Sequence, residues 1–234
     1  MKNIAIIPAR SGSKGLKDKN IRSFDGKPLL AWSVEAAVSS GCYDTVHVST
    51  DSEEYAKIAR EFGADVPFLR SAALSGDTAD SWDVMTEVLN RYAALSGEFD
   101  TLTILQPTSP LRSGEDIIRA FELYREKNAD AVVSVCEADH PPEWYQPLGE
   151  NGELSAFDRS ERTEKRRQEF ETRYRINGAV YLISVPYFRE DPHHIYRGKA
   201  FAYIMDKRSS VDIDDLSDFE LAELLHRQRL GKLS

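Results

Sequence analysis

The stretch NIAIIPARSGSKGLKDKN, residues 3–20, decides the fold. Its apolar run stops at Pro8, the mark of a short buried strand. A turn follows that holds Gly12 and Gly15 among Arg10, Lys14, Lys17 and Lys19. A strand-to-helix corner needs glycine for its backbone, but it does not need that much positive charge. Glycines let backbone N–H groups approach an anion, and Lys or Arg neutralises phosphate. The spacing fits neither Gly-x-Gly-x-x-Gly nor the Gly-Lys-Ser/Thr loop, so a solvated turn and a phosphate cradle stand level at this point.

Working outward, PLLAWSVEAAVSSG has helical spacing through Leu30, Val34, Ala37 and Val38, with Pro28 and Gly41 as its punctuation. TVHVST reads as a strand, and DSEEYAKIAREFG as a helix capped by Asp51 or Ser52. A third helix runs through Val84, Val88, Leu89 and Tyr92 before the strand in DTLTILQPTSPL. GEDIIRAFELYREKN is amphipathic, and DAVVSVCEA is a strand. This order predicts one α/β domain over 1–234, a mostly parallel sheet with helices on both faces. Residues 139–175 break the pattern, reading as turns and short antiparallel pieces followed by a charged run. They are expected to project from the core as an insertion where a partner subunit docks. GAVYLISV, KAFAYIMD and a last helix in LSDFELAELLHRQRL restore regular structure.

A net charge of −9 argues against a general nucleic-acid binder, since phosphate backbones reward a basic face. Cys42 and Cys136 make no disulfide framework, and each reads as a small buried hydrophobe. The N-terminal apolar run is too short for a signal sequence and nothing reaches membrane-spanning length, so a cytoplasmic location is expected. His47 reads as a sheet or core residue, and His193 and His194 lack ligand spacing for zinc.

In open parallel sheets ligands bind beyond the carboxyl ends of strands, and three polar loops follow such ends. Besides the basic turn there is LQPTSPLR, where Gln106, Thr108, Ser109 and Arg112 offer polar groups; a rigid turn in which Ser113 caps the next helix is the plainer explanation. In SSVDIDDLSD, Asp212 and Asp214 flank Ile213, so an extended backbone aims both carboxylates to one side. Such a pair suits Mg²⁺, which takes one or two carboxylates and fills its other positions with phosphate and water. A surface acidic run, with Asp215 or Ser217 capping the last helix, is the alternative. Taken together, the basic turn and the carboxylate pair describe metal-assisted chemistry on a nucleoside triphosphate.

IPARSGSKGLKDKN, LQPTSPLR, RRQ…YRINGAVY and SSVDIDDLSDFELAE, in this order and spacing, resemble the acylneuraminate cytidylyltransferases, or CMP-sialic acid synthetases, over essentially the whole chain. The resemblance implies a Rossmann-like fold of the nucleotide-diphospho-sugar transferase type, with a small dimerisation arm at 139–175 that helps complete the neighbouring subunit's sugar pocket. It implies a homodimer that uses CTP and Mg²⁺ to activate an acidic nine-carbon sugar, releasing pyrophosphate. By motif position, Arg10, Ser13, Lys14, Lys19 and Asn20 would hold triphosphate and ribose, with Arg10 and Lys19 stabilising the leaving pyrophosphate. Arg70 and Ser81 would read cytosine, Asp212 and Asp214 would bind the metal, and Gln106, Arg167, Arg175 and Asn177 would meet the sugar.

Two departures from the family pattern fall in the arm. Glu143 and Trp144 stand soon after the His-Pro step, where members acting on N-acetylneuraminate can carry lysine, and Phe170-Glu171 replaces the usual Leu-Pro. Legionaminic acid or another bacterial nonulosonate therefore competes with N-acetylneuraminate as the sugar. Two other readings stand beside the enzyme: a non-catalytic nucleotide- or sugar-binding protein on the same scaffold, and a nucleotidyltransferase using a sugar 1-phosphate.

Overall fold

A computed structural model of the protein describes residues 1–13, 15–95, 97–158 and 170–232. The opening apolar run forms strand β1 (Asn3–Pro8), followed by a small hairpin of β2 (Ser23–Phe24) and β3 (Lys27–Pro28). Strands β4 (Thr45–Ser49), β5 (Thr101–Ile104), β6 (Ala131–Glu137), β7 (Tyr174–Ser184) and β8 (Ala200–Ile204) join β1 in a six-stranded sheet. Its order is β4-β1-β5-β7-β6-β8. All strands but β7 run one way; β7 lies antiparallel between β5 and β6.

Alternation along β1 feeds two cores. Ala5 and Ile7 pack against helices α1 (Leu29–Ser40), α2 (Glu53–Glu61) and α4 (Gly114–Lys127), through Leu30, Tyr55 and Phe121. Ile4 and Ile6 point the other way, into α3 (Ser81–Leu95) and α6 (Val185–Glu190), meeting Met85, Leu89 and Phe188. Each such buried aliphatic side chain contributes roughly 1.5–3 kcal/mol. Helices therefore cover both faces, as the alternating order requires. A smaller cluster joins Phe24, Leu29 and Ile213 to Phe219 and Ala222 of α7 (Leu216–Arg229).

Helix ends follow local chemistry. Gly41 closes α1 at φ 63°, and Ser52, not Asp51, caps α2 by accepting from Tyr55 N. Ser113 with Asp116 and Asp215 with Asp218 form reciprocal boxes at α4 and α7. Val38 departs from its expected core position: it is half exposed on α1.

Between β6 and β7 the last rung is Ala138 N to Arg173 O at 2.8 Å, and the chain leaves the sheet there. The described part of 139–175 holds a 3-10 turn (Pro142–Trp144) and a four-residue helix, α5 (Ser155–Asp158), in place of the expected antiparallel pieces. Trp144 stacks on His140 and meets Phe170 edge-on at 6.4 Å, and Arg173 lies 3.8 Å from Glu143 and 3.7 Å from Glu171. The two departures from the family pattern thus pack on one another. Cys136 is buried and Cys42 half-buried, both as free thiols.

His47 on β4 is fully buried, with Nδ1 3.0 Å from Asp65 O and 3.2 Å from the Tyr92 hydroxyl. Burial, beside the charges of Arg70 and Arg91, pushes its pKa from 6.5 down to about 4 in spite of the Asp65 carbonyl. The unfolded chain therefore binds the proton first. Its contribution is intact above pH 6.5 and is lost as pH falls toward 4. Urea unfolding at about pH 7 and about pH 5 should show His47→Phe losing less stability than the unaltered protein, by on the order of 2 kcal/mol. Equal losses in both proteins would show that His47 titrates normally.

Candidate active site

A cleft of about 600 Å³ opens at the carboxyl ends of β1 and β5. The basic turn forms one wall. Ser11 fixes it to the end of β4, donating from N and Oγ to the Asp51 carboxylate at 2.7 Å each. Burial acts to raise Asp51, but these bonds and Arg70 hold it below the ordinary range, so it stays ionised. Asn20 closes the turn through Nδ2 to Arg10 O at 3.0 Å, and Gly12 adopts φ 69°. Arg10 reaches Asp77 at 2.9 Å across the cleft.

Arg70 is buried, donating from Nε to Ser49 Oγ at 3.0 Å and from Nη2 to Ser49 O at 2.7 Å. It lines the cleft with Ser81 at the start of α3. Gln106 and Thr108 form the floor after β5. Opposite lies the carboxylate loop, pinned by Ile213 N to Thr108 O at 2.9 Å. Lys19 crosses to it, donating to Ile213 O with Nζ 4.0 Å from Asp214 Oδ1. A Cβ on Gly15 would lie 2.6 Å from Asp214 O, so only glycine lets the two loops come this close.

Asp212 and Asp214 both line this cleft. Asp212 Oδ1 is buried without a hydrogen-bond partner among the described residues. Burial, with the like charge of Asp214, raises its pKa against the Thr108 bond and the charges of Lys19 and Arg175. An unpartnered carboxylate oxygen beside a second carboxylate fits a hard cation. No group of three or more His, Cys, Asp or Glu suited to a metal occurs among the described residues.

The structure thus brings together Arg10, Ser13, Lys19, Asn20, Arg70, Ser81, Gln106, Asp212 and Asp214. Lys14 and Arg167 lie outside the described residues. Arg175 is exposed in an adjoining hollow that shares Asp212 and Asp214, with Nη2 3.0 Å from Ser210 O. Three polar residues singled out in the sequence lie away from the cleft. Asn177, Ser109 and Arg112 are buried and none of them lines the cleft: Asn177 Nδ2 donates to Ser210 Oγ, Ser109 Oγ to Asn177 O and Arg112 Nη1 to Ala179 O, while Arg112 Nε and Nη2 have no hydrogen-bond partner among the described residues. Burial lowers Arg112 to about 10, offset in part by Tyr43 and Asp116. Asp77 was missed. Its only signal was a carboxylate in the polar SGDTADS loop, and what gives it meaning is Arg10, far away in sequence.

A basic, glycine-containing turn facing a carboxylate pair across an open sheet edge is the arrangement expected of an α/β protein of the nucleotidyltransferase kind. The cytidylyltransferase family model matches residues 4–230, and the chain belongs to that family. It is 41% identical over 229 residues to an Escherichia coli N-acylneuraminate cytidylyltransferase, covering 97% of this chain and 53% of the relative. The chain thus spans about half the length of that relative. It is 34% identical to the CMP-N,N'-diacetyllegionaminic acid synthase of Legionella pneumophila, covering 96% of each chain. In fold it resembles a CMP:2-keto-3-deoxy-manno-octonic acid synthetase solved with CTP, with TM-score 0.73, 16% identity, and coverage of 98% of this chain and 100% of that one. No helix among the described residues is long and apolar enough to cross a membrane.

Proposed function

We propose that this protein transfers CMP from CTP to the anomeric hydroxyl of a nonulosonic acid. The new bond joins the sugar oxygen to the α-phosphorus, the bond to the β-phosphate oxygen breaks, pyrophosphate leaves, and the hydroxyl proton goes to solvent. The observation that carries this reading is the 4.0 Å approach of Lys19 to Asp214, which sets the basic turn against the carboxylates within one cleft.

Arg10, Ser13 and Lys19, with Lys14 on the same turn, hold the triphosphate, and Asn20 shapes that turn. Arg10 and Lys19 stabilise charge moving onto the leaving pyrophosphate. Arg70 and Ser81 take the cytosine end, and Gln106 orients the acceptor beside the α-phosphorus. Asp212 and Asp214 are the residues to hold Mg²⁺. The metal, when bound, would polarise the phosphoryl oxygens. Arg175 stands on the acceptor side, and Arg167 is its expected companion for the sugar carboxylate. Exposed Tyr145, Leu148 and Leu154 support a dimer through 139–175, which sedimentation would check.

The test is a panel of N-acetylneuraminate, legionaminate, pseudaminate and 3-deoxy-octulosonate with CTP and Mg²⁺, read by product mass. CMP-sugar should form with at least one nine-carbon acid, and none without metal. No product with any of the four would overturn the reading. CTP binding by calorimetry without turnover would favour a binding protein, and activity with a hexose 1-phosphate the other transferase.

A further inference from the structure

We infer that Asn177 is a positioning residue, through which the acceptor-side loop and the carboxylate loop are set in one geometry. The inference rests on the transfer proposed above. It begins with a break in the sheet. Val133 pairs with Tyr181 and Val135 with Ile176, so the single residue Ser134 on β6 faces residues 177–180 on β7. A bulge that large removes ladder hydrogen bonds, and the buried groups it strands need other partners.

Asn177, 1% exposed, supplies them. Its Oδ1 accepts from Ser134 Oγ at 2.6 Å and from Ala179 N at 3.2 Å, which holds the bulge. Its backbone carbonyl accepts from Ser109 Oγ at 3.2 Å, which ties in the loop after β5. Its Nδ2 donates to Ser210 Oγ at 2.9 Å, two residues before Asp212. One side chain therefore grips the bulge and the root of the carboxylate loop, while its carbonyl grips the acceptor-side loop.

Two neighbours reinforce the arrangement. Arg112 Nη1 donates to Ala179 O at 3.1 Å and Gln106 O at 3.3 Å, joining the bulge to the residue placed beside the acceptor. Gly178, at φ 76°, leaves the space that the Gln106 carboxamide occupies. The Ile213 N to Thr108 O bond closes the circuit on the cleft side. Asn177 lines neither the cleft nor the adjoining hollow, so it acts through other residues, and Ser210 borders only the hollow that holds Arg175.

The test uses Ser210→Ala, Asn177→Ala and the double variant. Mn²⁺ binding to the CTP-bound protein is followed by electron paramagnetic resonance, together with thermal midpoint, kcat and KM for CTP at saturating metal. Each single change should raise the Mn²⁺ concentration for half-saturation about tenfold, the scale seen when groups supporting metal ligands are lost. kcat should fall in step, and KM for CTP should stay within about twofold. The double variant should be no worse than the worse single one, since the pair shares one bond. If Asn177→Ala fails to fold, Ser210→Ala carries the comparison alone. A folded variant with unchanged Mn²⁺ binding and kcat, whatever its thermal midpoint, would overturn the positioning role alone. An unaltered protein lacking CTP-dependent Mn²⁺ binding would overturn this inference and the proposed metal-assisted transfer together.

Discussion

Asp212→Asn is expected to lower kcat by about 10³-fold or more while making the protein more heat-stable. The two effects have one origin. Asp212 is partly buried, its Oδ1 has no hydrogen-bond partner among the described residues, and its pKa is raised by burial and by Asp214. A carboxyl whose folded pKa lies above its unfolded value is harder to ionise in the folded chain, so at neutral pH its charge works against folding. Asparagine keeps the shape and an acceptor for Thr108 while removing that charge. The thermal midpoint should rise by a few degrees. Activity moves the other way, because a neutral amide is a poor partner for Mg²⁺ and the site loses half its charge for the metal. Calorimetry and a CTP turnover assay with the preferred acid sugar check both halves. Turnover near the unaltered rate would remove Asp212 from the metal site. A fall in thermal midpoint would mean its charge is already compensated within the protein.

That opposition explains why parts of this site are legible in sequence and others are not. The buried strand at residues 3–8, the helix caps at Ser113 and Asp215, and the alternation of Asp212 with Asp214 all depend on neighbours a few residues away. Periodicity and capping chemistry report such features directly. The direction of β7 and its bulge depend on β5 and β6, and the bulge is visible only once Ser134 and Asn177 share a register. The burial of polar residues depends on the fold for the same reason. In LQPTSPLR the sequence displays Ser109 and Arg112 as readily as Gln106, yet only pairing with Asn177 and Ala179 turns the first two inward. Arg10 with Asp77 and Lys19 with Ile213 are likewise joined only by the fold. Sequence thus displays which groups the site has, and the sheet decides which of them face the cleft.

Lys19→Met is expected to cut kcat/KM for CTP by about 10²–10³-fold, the scale set by losing one well-placed electrostatic donor. The Lys19 side chain is only 12% exposed, and its ammonium both faces the cleft and donates to Ile213 O beside Asp214. Methionine preserves the buried stem and packing, so the loss isolates the charge. Arginine should not rescue it. A planar five-donor fork does not fit where a compact ammonium sits against a backbone carbonyl, and Gly15 leaves no slack between the loops. Lys17, exposed on the same turn, is the control, and Lys17→Met should leave the rate unchanged. Turnover and CTP binding by calorimetry separate two contributions in Lys19→Met: weaker binding reports the lost phosphate contact, and lower kcat reports a loosened carboxylate loop. Full activity in Lys19→Arg would reduce the residue to a general positive charge. Activity within tenfold of normal in Lys19→Met would move the phosphate-holding role to Arg10 and the rest of the turn.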